Sequence, residues 1–254
     1  MAPHLTSNLT LSVVPEPLTR DAFAPFGTAI YAPLARDFSS PPSSVSSLTP
    51  HDPAPVLANQ NSALKYSGIS PLLNEYPDRS PSGKPSSGRM TMFSCFPRSL
   101  RTVQNPSSSR STPVFDVRIL ERHPFTTQTF TPIDLSSQTR AGDHDEPFFL
   151  VVVAPTLKGT TATAKTANGD TVTVRDPPDL SRVRAFVARG GQAVTYGVGT
   201  WHAPMVVLGP RRVDFVVVQF GNGVDEEDCQ EVEFGDGVVV DLGGRGSGSG
   251  GARL

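Results

Sequence analysis

Two short stretches of the chain carry side chains able to do chemistry. The first is Glu121-Arg122-His123, followed after four residues by Gln128; the second is Gly191 to Val206, GQAVTYGVGTWHAPMV, which presents His202 three residues after Gly199. An unperturbed imidazole titrates near pH 6.5, so either histidine can accept or return a proton at neutral pH. The same rings are ligands for divalent metals. His123, His202 and Glu121 together have the two-histidine, one-carboxylate composition that holds a metal with positions left open, and Gln128 in place of the carboxylate gives a weaker, more neutral site. The chemistry open to these groups is proton transfer on a small polar substrate, with or without a metal. A lone histidine after a glycine turn is more often a hydrogen-bonded packing residue than a ligand.

Such side chains have to be positioned by β-structure. Phe115 to Leu120, Thr127 to Ile133, Phe148 to Ala154, Ala193 to Tyr196 and Val213 to Phe220 read as strands. Gly197 and Gly199 supply the positive-φ or close-approach positions of a tight turn, after which His202 opens the returning strand. Helix is sparse. Thr19 or Asp21 is expected to cap a short turn through Ala22-Phe23. Asp179 is expected to cap a helix from Leu180 to Ala188, ended by Gly190-Gly191, with Val183, Phe186 and Val187 on its packed face. The segments Ser39 to Pro55, Pro77 to Gly88, Gln104 to Pro113, Ser136 to Pro147 and Pro155 to Pro178 are rich in Ser, Pro and turn formers, and read as inserted loops. Many short strands, few helices and long Pro/Ser/Gly-rich insertions predict a mainly β fold, a sandwich or a barrel.

The 254 residues are expected to form one domain over residues 1–241, with residues 242–254 a flexible glycine-serine tail. With 22 basic against 24 acidic side chains, the net charge of −2 argues against a phosphate-neutralising surface and so against nucleic acid as a partner. No apolar run approaches the roughly 18 residues of a membrane span, and the N-terminal segment lacks a charged-then-apolar leader, so a soluble, intracellular protein is expected. Cys95 and Cys229 read as free packing thiols. Ala252-Arg253-Leu254 has the small-basic-leucine form of a peroxisomal address, which leaves cytoplasm and peroxisome both open.

The spacing Gly191, Gly199, His202 resembles the second signature of the cupin superfamily, with Gly197 where proline is usual and Val206 where asparagine is usual. The first signature aligns best on Glu121-Arg122-His123 and Gln128, and only one of its two usual histidines is kept. This resemblance implies a cupin-like β-barrel, or jelly roll, in which the two segments meet. A wider resemblance is more specific. Glu121-Arg122-His123-Pro124-Phe125 with Gln128-Thr129-Phe130 and Pro132 is similar to a signature of the ureidoglycolate lyase family. Phe23-Ala24-Pro25-Phe26-Gly27, Asn59-Gln60, Lys65-Tyr66, Tyr196 to Pro204 and Asp214 to Val217 agree, and Asn222-Gly223 with Glu227 to Val232 resembles the fungal form. The resemblance covers about Leu18 to Glu233. Asn61 departs from it, standing where many relatives have glycine.

The family cleaves ureidoglycolate to glyoxylate and urea in the allantoin branch of purine breakdown, so the resemblance implies a carbon–nitrogen lyase. Its substrate needs a base for the hydroxyl proton, a cation or dipoles for the carboxylate, and a donor for the departing nitrogen. His123 or His202 is the candidate base and Lys65 the candidate carboxylate partner. Asn59, Gln60 and Gln128 are candidate amide donors, with Tyr196 serving recognition or packing. A divalent ion, Ni(II), Mn(II) or Zn(II), would sit on His123, His202 and Glu121 or Gln128, and operation without any cofactor stays equally open. A homodimer is implied as well. Two other readings remain at this point: a metal-dependent cupin oxygenase acting on a small organic acid, and a non-catalytic cupin that binds a small ligand.

Overall fold

The run Phe148–Ala154 forms the strand around which the protein is layered. In the computed structural model, which describes residues 2–5, 9–35, 38–48, 50–104, 111–133 and 148–243, its side chains enter two different cores. Phe149, Val151 and Val153 belong to one cluster, and Leu150, Val152 and Ala154 to the other. A strand covered on both faces has no position to give to water, which explains its unbroken hydrophobicity.

Strand makes up 46% of the described residues and helix 8%, so the mainly β expectation holds; among the described residues no closed barrel forms, and the strands divide among sheets. The central sheet runs in the order Thr171–Arg175, Thr161–Lys165, His4–Leu5, Gln230–Phe234, Ile119–Arg122, Trp201–His202, Phe148–Ala154, Arg184–Arg189, Glu16–Pro17, with Val206–Val207 also paired to Phe148–Ala154. On one side lies a five-stranded sheet, Gly27–Ile30, Ala193–Tyr196, Gln128–Ile133, Val213–Gly221, Ser87–Cys95. Phe130, Phe149, Phe186, Tyr196 and Phe215 fill the space between these two. On the other side, Leu11–Val13, Val238–Asp241, Ser111–Asp116 and Arg101–Gln104 form a four-stranded sheet. A separate hairpin pairs Val56–Ala58 with Ala63–Lys65.

Two expectations are corrected. The helix predicted over Leu180 to Ala188 is a single 3-10 turn, Leu180–Arg182, followed by the strand Arg184–Arg189. Asp179 does cap the turn, accepting from the Ser181 amide at 3.1 Å. Beyond it, Arg184 to Val187 lie along Phe148–Ala154, and Ala185, Phe186 and Ala188 are buried. Pairing with the central strand buries successive residues on both faces, which a surface helix with a single apolar stripe could not do. The segment Pro155 to Pro178 is a β-hairpin rather than a loop, Thr161–Lys165 against Thr171–Arg175. Its threonines and valines alternate, and Gly169 at φ +86° closes the turn. The loop expected over Ser136 to Pro147, part of that over Gln104 to Pro113, and the tail from residue 244 lie outside the described residues. At the other end of the chain, Thr19 caps Arg20–Phe23 as expected.

Candidate active site

The Ile119–Arg122 strand sorts its side chains by alternation. Leu120 enters the core on one face, and Arg122 follows it, stacking 4.7 Å over the Trp201 ring. Its guanidinium donates to the carbonyls of Arg175 (2.8 Å) and Asp176 (2.9 Å) and to Gln230 Oε1 (2.9 and 2.7 Å). Trp201 Nε1 donates to the same Asp176 carbonyl at 3.0 Å. Arg122 and Trp201 therefore brace one side of the sheet. Glu121 turns to the opposite side, where it pairs in register with His202.

His202 is fully buried. Its Nδ1 lies 2.9 Å from the Thr200 carbonyl, its ring stacks on Tyr196 (3.8 Å between centroids, 12° between planes), and its Nε2 lies 3.4 Å from Glu121 Oε1. His123 follows the strand, and its Nδ1 lies 2.6 Å from the Asp228 carbonyl. The two imidazole centroids are 5.6 Å apart. The glycine turn and the Glu-Arg-His segment are tied directly, for the Gly199 amide donates to the His123 carbonyl at 2.8 Å. Gly199 at φ +70° takes the left-handed conformation that glycine adopts without strain.

A carbonyl can only accept, so each Nδ1 carries a proton; the Nε2 of His123 is turned to the cavity, and that of His202 lies beside Glu121. Burial, with the neighbouring His202, pushes His123 down to about 4 against the pull of the Asp228 carbonyl and Glu121, so it is neutral at pH 7. Burial also pushes the Glu121 carboxyl up, but His202 and His123 outweigh it and hold Glu121 below the usual carboxylate range.

A polar row crosses the inner face of the five-stranded sheet. Register places Tyr196 opposite Gln128, Gln128 opposite Gln219, and Gln219 opposite Arg89. Gln128 Nε2 donates to Gln219 Oε1 at 2.6 Å. His123 Nε2, His202 Nε2, Gln128 Oε1 and the Tyr196 hydroxyl are all buried without a hydrogen bond. Four such atoms in one region are what a bound polar ligand would satisfy. Glu121, His123, Gln128, Gln219 and Arg89 line one cavity of about 800 Å³, together with Arg98 and both free cysteines.

The structure brings together five of the sequence candidates, Glu121, His123, Gln128, Tyr196 and His202. It does not bring the other three. Asn59 and Gln60 form the turn of the isolated hairpin, Lys65 ends it, and none of them lines the cavity. Tyr66, next to Lys65, shares a cleft with Thr129, Thr131 and Thr195, which face the back of the sheet whose front carries Gln128 and Tyr196. Asn61, where the resemblance leads one to expect glycine, stands at φ +65° in the left-handed region that asparagine tolerates better than most residues. Sequence reasoning missed Arg89 and Gln219, which only strand register brings to the site, and Asp228, which reaches His123 through its main-chain carbonyl.

The donors fit a divalent ion. The ligand atoms of Glu121, His123 and His202 lie within 4.8 Å of one another, and each Nδ1 is held by a carbonyl, as is common for metal-bound imidazoles.

Sheets that gather two imidazoles, a carboxylate and two amides beside one cavity define a cupin-like site for a small polar molecule. The comparisons with known proteins make this particular. The model of the ureidoglycolate lyase family matches residues 10–241. The chain is 34% identical over 213 residues to the ureidoglycolate lyase of Schizosaccharomyces pombe, covering 84% of this chain and 86% of that protein. It is 32% identical over 234 residues to that of Saccharomyces cerevisiae, covering 90% and 97%, and 32% identical over 212 residues to that of Burkholderia mallei, covering 84% and 83%. The chain belongs to the ureidoglycolate lyase family.

Proposed function

We propose that this protein cleaves ureidoglycolate to glyoxylate and urea. The observation that carries the reading is the cluster of the buried Nε2 atoms of His123 and His202 with the Glu121 carboxylate, of which His123 and Glu121 line the cavity. His202 Nε2 takes the substrate's hydroxyl proton, and Glu121 at 3.4 Å stabilises the imidazolium that forms. The oxygen then closes to a carbonyl as the carbon–nitrogen bond breaks, and the proton passes to the departing urea nitrogen. Gln128 and Gln219 offer amide groups to the ureido end. Were a divalent ion held by Glu121, His123 and His202 instead, the histidines would be ligands rather than bases, and the ion would supply positive charge against the substrate oxygens and lower the hydroxyl pKa. The role of Gln128 as a further ligand, and the choice among Ni(II), Mn(II), Zn(II) and no ion, belong to the same proposal.

Purified protein is assayed on racemic ureidoglycolate as isolated, after chelation, and with each ion restored. Release of urea and glyoxylate in equal amounts without oxygen uptake is expected. Release of neither under any condition would sink the proposal, and oxygen consumption would replace it with the oxygenase reading.

The homodimer implied by the resemblance is part of this proposal. Ser87–Cys95 is an edge strand, and its Met90 and Met92 are 75% and 60% exposed. A second copy would cover such an edge. Light scattering that finds monomer alone removes it. No helix among the described residues is long and apolar enough to cross a membrane. A peroxisomal location rests on Ala252-Arg253-Leu254, outside the described residues, and is tested by a fluorescent fusion ending at Gly251, which should lose peroxisomal puncta.

A further inference from the structure

We propose that Arg89 is the specificity-determining residue that receives the substrate's carboxylate, an assignment that rests on the ureidoglycolate-cleaving function above. The substrate is an anion, and Lys65, at the exposed end of the separate hairpin, does not line the cavity. The cations lining the cavity are Arg89 and Arg98. Arg89 ends the polar row through Gln219 and Gln128, so its side chain leaves the sheet on the same face, two strand spacings or about 10 Å from Gln128.

Its guanidinium is seated, not free to swing. It lies over Gly221, where an added Cβ would stand 2.7 Å from Cζ, and Nη1 donates to Asp228 Oδ2 at 2.9 Å. Nε and Nη2 have no hydrogen-bond partner among the described residues, which leaves two donors for a carboxylate. Asp228 does not neutralise Arg89 alone, because its carboxylate also accepts from the amides of Asn222 and Gly223 and from the Tyr76 hydroxyl. The same residue holds His123 through its carbonyl. One turn thus positions the anion receptor and an imidazole together. Arg98 is placed differently: it lies beyond Cys95, packs against Phe115 at 5.7 Å and borders a second cleft with Asp116 and Arg118.

The test compares ureidoglycolate with N-(hydroxymethyl)urea, which keeps the hydroxyl and ureido groups and has hydrogen in place of the carboxylate. Turnover, or competitive inhibition where turnover is absent, is measured for wild type, Arg89→Ala, Arg89→Lys and Arg98→Ala, with thermal melts to establish folding. Arg89→Ala should lose about 10- to 100-fold in kcat/KM on ureidoglycolate, mainly through KM, the weight of a charge-assisted hydrogen bond. It should change little toward the neutral compound, Arg89→Lys should recover part of the loss, and Arg98→Ala should keep the preference. Equal losses on both compounds, or a loss carried by Arg98→Ala, overturn the assignment. If wild type cleaves neither compound, the functional reading fails by itself, and titration with oxamate then decides on Arg89. Binding that disappears in Arg89→Ala upholds the anion site; unchanged or absent binding overturns it.

Discussion

Asp228 holds His123 through the main chain, its carbonyl taking the imidazole Nδ1 at 2.6 Å, while its side chain gathers Arg89, Tyr76 and the amides of Asn222 and Gly223. Burial pushes the Asp228 carboxyl up, but the Asn222 amide, the Tyr76 hydroxyl, the Gly223 amide and Arg89 outweigh it and hold it below the usual range. The position of an imidazole is thereby coupled to a carboxylate that never touches it.

Asp228→Asn keeps the carbonyl and removes the charge. Loss of charge-assisted hydrogen bonds should cost about 1–3 kcal/mol, visible as a drop of about 2–4 °C in Tm per kcal/mol. A Tm equal to wild type would show that the carboxylate does not organise the turn.

His202→Ala removes the proposed base and the ring stacked on Tyr196. Urea release should fall about 10²- to 10⁴-fold, the usual weight of general-base catalysis. Glu121→Gln leaves the imidazole and removes the charge facing it, so its loss should be smaller. Initial rates on ureidoglycolate decide, and a Glu121→Gln loss exceeding that of His202→Ala would shift the proton to the carboxylate.

Lys65→Ala should leave KM within about twofold of wild type, as expected of an exposed residue away from the site. A larger rise, seen in steady-state kinetics, would mean that the hairpin reaches a cavity in the working enzyme.

That last case shows where sequence reading stops. Glu121, His123 and His202 were legible because they lie in short contiguous segments that resemble the cupin and family signatures, the last of them beside a glycine turn. The Phe148–Ala154 strand was equally plain, because seven apolar residues in a row need two covered faces. Lys65 and Arg89 are both cations near a strand, and nothing local says which face of which sheet each reaches. That is fixed by pairing across Val213–Gly221 and Gln128–Ile133, residues far apart in sequence. The Asp179 cap was legible, yet the segment after it is a strand because tertiary pairing overrode a helical spacing of Val183, Phe186 and Val187. The Thr161–Arg175 hairpin was missed because its alternating residues are small and threonine-rich.

Glu227 makes the protein acid-sensitive at one place. Its carboxylate accepts from the Ser82 amide (2.8 Å), the Ser82 hydroxyl (2.7 Å) and Asn222 Nδ2 (2.6 Å), docking the proline-serine segment. Burial pushes its carboxyl up, and these donors, Asn222 first, bring it net below its ordinary value. A depressed carboxyl contributes stability above the unfolded value of about 4.3 that is lost as pH falls through the folded one. Hydrogen exchange at the Ser82 amide should therefore accelerate, beyond its intrinsic pH dependence, as pH drops below about 4. Glu227→Gln should remove that added acceleration; if the variant keeps it, another group is responsible.

Arg122 lies within the Glu-Arg-His segment, yet its side chain serves the opposite face of the strand, in contact with Trp201, Arg175, Asp176 and Gln230. Lysine cannot reproduce a planar fork that satisfies three acceptors at once. Arg122→Lys should cost about 2–4 kcal/mol, through a buried cation left short of partners and acceptors left without donors. The folded fraction should bind ureidoglycolate with unchanged KM, because Glu121 and His123 project to the other side. Denaturant titration and steady-state kinetics separate the two effects. Full stability with a raised KM would place Arg122 in the substrate site and contradict the alternation of the Ile119–Arg122 strand.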